Sequence, residues 1–166
     1  FNDLRRFGWL KLLDPAASEK VLDAHGIEPL GKEFSLKKFE EILARYPNRK
    51  IKQLLLDQTL IAGLGNIYVD EAGFRAKVLP WRQVRTLTAR ERSSLYRAIV
   101  EVLKLSLKKK GTSARNYLRS NGRPGGFGPH LNVYGRAGQP CKVCATPIKK
   151  VKQNGRGTHF CPKCQK

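Results

Sequence analysis

The sequence predicts a mainly α-helical chain that closes in a small β-hairpin module stapled by four cysteines. Three observations carry that expectation. Between residues 14 and 106, apolar side chains recur at helical spacing behind residues suited to capping. Cys141, Cys144, Cys161 and Cys164 follow the pattern C-x2-C-x16-C-x2-C. After Glu101, the remaining 65 residues hold 15 Lys or Arg and no Asp or Glu.

Taken in order, residues 1–13 (FNDLRRFGWLKLL) read as one strand rich in aromatic and aliphatic side chains. A lone strand has no ladder partner, so the expectation is that it is the last strand of a domain lying before this chain. Ser35 is placed to cap a helix over residues 36–45, with Phe39, Ile42 and Leu43 on one face. Two further helices are expected over residues 51–61 and 66–76, around the tight sequence Ala62-Gly63-Leu64-Gly65. Thr88 caps a longer one over residues 89–107, with Leu95, Ile99, Val102 and Leu103 inward. These make a four-helix cluster. Lys108-Lys109-Lys110-Gly111 marks a boundary. Residues 122–128 (GRPGGFG) hold four Gly and a Pro, which excludes regular structure there and suits a mobile functional loop. Residues 133–166 form the hairpin module, too short to bury a sufficient core.

Charge and cysteine usage narrow the function. The chain carries a formal +20, with 18 basic and 13 acidic residues up to Glu101, so most of the excess lies in the last 65 residues. Such a field suits a polyanion. No apolar run approaches the ~20 residues of a membrane-spanning helix, and no secretory signal pattern is present, which fits a reducing cytoplasm. There, four cysteines at this spacing read as ligands of one structural Zn²⁺, whose binding free energy supplies what the small core cannot; two disulfides are the competing reading.

Three further motifs carry chemistry, each with a plainer alternative. Gly63-Leu64-Gly65-Asn66 opens a helix, so Asn66 is placed as its N-cap and the free N–H groups suit a phosphate; a capped helix after a tight turn reads the same way. Arg5-Arg6-Phe7 suits a protein that distorts a duplex, the ring wedging between base steps while a guanidinium meets a base edge; an amphipathic strand with Phe7 in a core is the alternative. Arg156, between glycines at the expected hairpin tip, is free to make a bidentate phosphate contact, or is a solvated surface arginine. His25, His130 and His159 lack companions at ligand spacing. Adjacent Asp70 and Glu71 do not face one another on a helix, and Glu71 is expected to order neighbouring turns.

Together NDLRRFG (residues 2–8), LLDQTLIAGLGNIYVDEAGFRAKVLP (residues 55–80) and RSNGRPGGFG…LNVYGRAGQPCKVC…RGTHFCPKCQK (residues 119–166) closely resemble the bacterial formamidopyrimidine-DNA glycosylases, over essentially the whole chain. The resemblance implies a helix–two-turns–helix (H2TH) bundle over residues 14–132, a lesion-capping loop at about 112–132 and a zinc finger over residues 133–166. Residues 1–13 become the last strand of an N-terminal catalytic β-sandwich. The implied activity is base excision repair, as a glycosylase and AP lyase acting on oxidised purines such as 8-oxoguanine and formamidopyrimidines. The partner is double-stranded damaged DNA, bound by a monomer in the bacterial cytoplasm at the nucleoid.

By the same resemblance Asn66 and Arg156 pinch the phosphate of the flipped nucleotide, and Arg156 takes part in the final elimination. Arg5 meets the orphaned base, Phe7 is the wedge, and the run from Arg49 to Lys52 touches the DNA backbone. The family's nucleophile is an N-terminal proline followed by glutamate; this sequence starts Phe1-Asn2. The expectation is therefore a DNA-binding half without base excision. A stand-alone zinc-ribbon nucleic-acid-binding module is the alternative.

Overall fold

The computed structural model describes residue 8, residues 10–112 and residues 124–166. Among these described residues, five α-helices precede one antiparallel hairpin: α1 (Pro15–Asp23), α2 (Leu36–Arg45), α3 (Ile51–Leu55), α4 (Asn66–Ala76), α5 (Ala89–Lys108), β1 (Lys149–Gln153) and β2 (Arg156–Phe160). The class is mainly helical, as expected, with one helix more than the expected four. Asp14 opens the extra one: its carboxylate accepts from the Ala17 amide at 2.8 Å, and Pro15 suits a first helical position.

Caps fix two of these elements where the sequence places them. Ser35 Oγ accepts from the Lys38 amide at 3.2 Å. Thr88 and Glu91 form a reciprocal capping box at the start of α5. α4 occupies the expected 66–76, but its N-cap is Gly65 rather than Asn66, and no side chain caps it. Asn66 is thus the first helical residue, its side chain left for other work.

One expectation fails for a local reason. The helix expected over residues 51–61 stops at Leu55. Asp57 turns the chain instead, its carboxylate accepting from the Thr59 amide at 3.1 Å and hydroxyl at 2.6 Å, a side-chain-to-backbone bond that competes with helix. The strand expected over residues 1–13 is not formed by its described part. Gly8 and residues 10–13 have no regular structure, and Leu10 and Leu12 lie in solvent.

Two apolar clusters share α4. Val69, Ala72 and Ala76 face the main core, with Phe39, Leu43, Leu54, Leu55, Leu95 and Ile99. Phe74 looks the other way, into a small cluster with Val133, Cys141, Ile148 and Cys161. Each fully buried aliphatic or aromatic side chain contributes about 1.5–3 kcal/mol, so the helical part holds most of the apolar stabilisation. Beyond α5, Gly126 bonds back to Lys109 and Phe127 to Gly111, and Phe127 is buried against the Tyr68 ring. Residues 124–128, the described part of the stretch expected to be a mobile loop, are therefore tied to the end of α5 by these bonds and by the burial of Phe127, which corrects that expectation there; residues 113–123 of the expected capping loop lie outside the described residues. Among the described residues no helix is long and apolar enough to cross a membrane.

Candidate functional site

The site is built where β2 lies against the start of α4. Asn154 and Gly155, both with positive φ (49° and 75°), make the two-residue turn of the hairpin, so Arg156 is the first residue of β2, paired with Gln153, and not part of the turn itself. An Asn-Gly pair between two alternating segments is the sequence signal for this turn, and it places Arg156 one residue away from the tip. Arg156 is exposed.

Asn66 and the hairpin meet at one atom. Asn66 Nδ2 donates to the Gly157 carbonyl at 3.0 Å, which ties the residue that follows the exposed Arg156 to the first residue of α4. Gly63 turns the chain ahead of that helix with φ of 72°, and a Cβ at Gly63 or Gly65 would meet nothing within 4 Å among the described residues, which leave the approach to the free N–H groups open. The second Nδ2 hydrogen of Asn66 remains for another acceptor.

Of the basic run before the motif, Arg49 and Lys52 go different ways. Arg49 is part-exposed, paired with Asp57 at 3.0 Å, and lines an open polar cleft of about 230 Å³ with Gln53, Asp57, Gln153, Asn154 and Arg156. The hydrogen bond from the Thr59 hydroxyl, aided by Arg49, holds the Asp57 carboxyl below its usual value. Lys52 corrects the expectation of a backbone contact. It is 2% exposed, its Nζ 2.5 Å from Asp70 Oδ1 and 3.2 Å from the Gly157 carbonyl. Burial pushes its ammonium below the usual lysine range, against the pull of Asp70. The reason is topological: one turn of α3 points Lys52 inward toward α4, which sequence order cannot reveal. Arg5 and Phe7 lie outside the described residues.

Sequence reasoning passed over Asp70 and His159. Asp70 Oδ2 accepts from the His159 amide at 2.8 Å and faces its Nδ1 at 3.2 Å. Neighbouring Glu71 points elsewhere, accepting from the amides of Asn132, Val133 and Tyr134 at 2.9–3.0 Å, as the expectation that it orders neighbouring turns required. No sequence signal marks these pairings, since the burial that makes each carboxylate need a partner is set by packing.

The four cysteine Sγ atoms lie within 4.8 Å of one another, Cys141 and Cys164 at 3.9 Å and Cys144 and Cys161 at 3.4 Å. A tetrahedral Zn–S shell of 2.3 Å has edges of about 3.8 Å, so the donor set fits one zinc ion. The Val143 and Cys164 amides donate to Cys141 and Cys161 sulfur at 3.4 Å, as thiolate ligands need. Four thiolates leave no open coordination position, so a zinc held by them is structural.

Residues 25–117, more than half the chain, match the formamidopyrimidine-DNA glycosylase H2TH domain. The chain belongs to the formamidopyrimidine-DNA glycosylase family. Residues 138–166 match the zinc finger found in FPG and IleRS. The formamidopyrimidine-DNA glycosylase of Streptococcus mutans is 47% identical over 168 residues, spanning 100% of this chain and 61% of that protein. The crystal structure of the MutM (Fpg) protein of Thermus thermophilus superposes with a TM-score of 0.90 at 44% identity, over 98% of this chain and 62% of that one. The Lactococcus lactis Fpg, solved in complex with DNA containing an abasic site, gives 0.81 at 40% identity, over 91% and 55%. The chain thus spans about three-fifths of the length of the curated relatives it matches.

Proposed function

We propose that this chain is the DNA-holding part of a base-excision-repair glycosylase and AP lyase that removes oxidised purines. The observation that supports the reading is the Gly157 carbonyl, which ties the residue after Arg156 to Asn66 at the start of α4. In this reading two kinds of donor, the Arg156 guanidinium and the helix-end N–H groups, serve one backbone phosphate. Pinching that phosphate holds a flipped nucleotide out of the stack. Arg49, across the cleft from Arg156, makes a second backbone contact by leaving Asp57. Arg5 and Phe7 fill the void, and Arg156 assists elimination, by the family resemblance. In this reading, residues 1–13 belong to a catalytic domain, residues 14–132 form the H2TH part with its capping loop, and residues 133–166 the finger. The protein acts as a monomer on duplex DNA in the bacterial cytoplasm, at the nucleoid, with no membrane partner.

Fluorescence anisotropy on three probes tests this: an abasic-site duplex, an undamaged duplex and an RNA of equal length. The expected result is preference for the abasic duplex, with affinity falling steeply as salt rises and no covalent adduct under borohydride trapping. Preference for RNA sinks the repair reading in favour of a stand-alone nucleic-acid-binding module. An adduct on this chain would mean that one of its own amines performs the lyase step.

A further inference from the structure

We propose that Lys52 is a positioning residue whose buried ammonium fixes the Gly157 carbonyl, and with it the approach of Arg156 to Asn66 and the start of α4. The inference rests on the phosphate-pinching reading above and deepens it.

The geometry is unusually closed for a lysine. Gly157 O accepts from both Lys52 Nζ at 3.2 Å and Asn66 Nδ2 at 3.0 Å. Lys52 Nζ also meets Asp70 Oδ1 at 2.5 Å, and Asp70 Oδ2 takes the His159 amide at 2.8 Å. Strand β2 is therefore held at residues 157 and 159, once through an oxygen and once through an N–H, by one ion pair reaching from α3 and α4. Removing any member loosens both holds on the strand that carries Arg156.

Stability alone does not require this pair. Ile51, Leu55, Val69 and Val78 line the same small cavity as the pair, and an apolar pair of similar volume is often as stable as a buried ion pair, because desolvation offsets the Coulomb attraction. What an apolar pair cannot do is direct a carbonyl. Two donors converging on Gly157 O define where it points. The neighbouring Arg156 guanidinium lies close enough to depress the Lys52 ammonium further, so an anion seated at Arg156 also feels the fixed Lys52 charge.

The test measures binding of the full chain to an abasic-site duplex across a salt series, with zinc content and thermal unfolding in parallel. The variant Lys52→Met/Asp70→Asn removes the charge pair without stranding either partner. The expected result is a folded, zinc-loaded protein whose affinity falls about tenfold, as for one lost charge-assisted hydrogen bond. The slope of log K against log[salt] should shrink by about 0.9, one phosphate's worth. Adding Arg156→Ala should cost little more, since both changes act on one contact. A merely structural lysine changes the unfolding temperature but neither the slope nor the coupling to Arg156.

Wild-type affinity in the double variant overturns the proposal, and so does a loss that multiplies with that of Arg156→Ala. If the double variant does not fold, Lys52→Arg carries the test: it keeps the charge on a longer planar group, and the expected loss of affinity and slope is overturned by wild-type binding. Absence of salt-dependent duplex binding by the unaltered chain is a different result. It removes the phosphate-pinching reading itself.

Discussion

The helical part and the zinc module are held together by different physics. Among the described residues, the main core gathers eighteen buried ones from four helices and the loops between them. The module's cluster has five, of which Phe74 belongs to α4 and two are cysteine ligands. What the module lacks in apolar burial it draws from outside itself: from metal, and from two carboxylates of α4 that reach across to it. Asp70 takes the His159 amide and Glu71 takes those of residues 132–134. Gln165 completes the join, accepting from Cys161 and donating to Val78 at 2.8 Å each. The lesson is that the module is positioned by polar bonds where the helices are positioned by packing. Polar bonds have direction, so they suit the part that must aim an arginine.

Metal removal should break that contrast most completely. With a chelator present, the module is expected to unfold while the helices persist, because only the module depends on zinc for folding energy. Far-UV circular dichroism should keep its helical signal, amides in residues 138–166 should lose hydrogen-exchange protection, and duplex binding should fall. Loss of the whole helical signal would show that the two regions fold as one unit.

Glu71→Gln sharpens the comparison next. It removes a buried carboxylate from three backbone donors and should cost about 2 kcal/mol in denaturant unfolding, the range for hydrogen bonds to a charged group. The effect should be local to residues 132–134 and the adjoining finger in hydrogen exchange. A uniform loss of protection across α2 and α5 would count against a latch role.

The smallest effect belongs to Asp57, on the helical side. Its carboxyl is held below the usual 3.8, first by the Thr59 hydroxyl and also by Arg49. A depressed carboxyl contributes stability that is present above pH 3.8 and lost as pH falls through the folded value. Asp57→Asn should flatten that acid limb by under about 1 kcal/mol, since the pair is partly solvated. An unchanged limb in a pH series of unfolding midpoints would show that Asp57 titrates normally.

Much of the molecule is legible in the chain alone, wherever the cause is local. Ser35 and Thr88 cap from within three residues of the amides they serve, so α2 and the start of α5 follow from the sequence. The C-x2-C pairs set zinc's ligands for the same reason: each pair aims two thiolates through one short turn. Local chemistry also explains a miss, for the Asp57-Thr59 turn that ends α3 is present in the sequence and outweighs the helical pattern running to residue 61. Asn66 and Arg156 are singled out by their local motifs and paired by the resemblance; what ties Asn66 to the hairpin is a carbonyl 91 residues away. Lys52 and Asp70 show the limit most clearly. Beside Arg49 and Lys50, Lys52 looks like one more surface cation, and Asp70 beside Glu71 looks like one more exposed helix acid. Only tertiary packing turns them inward: burial sets the partner of a charge, and burial is decided by which faces of α3, α4 and β2 come together, a property of the whole fold and of no short stretch of chain.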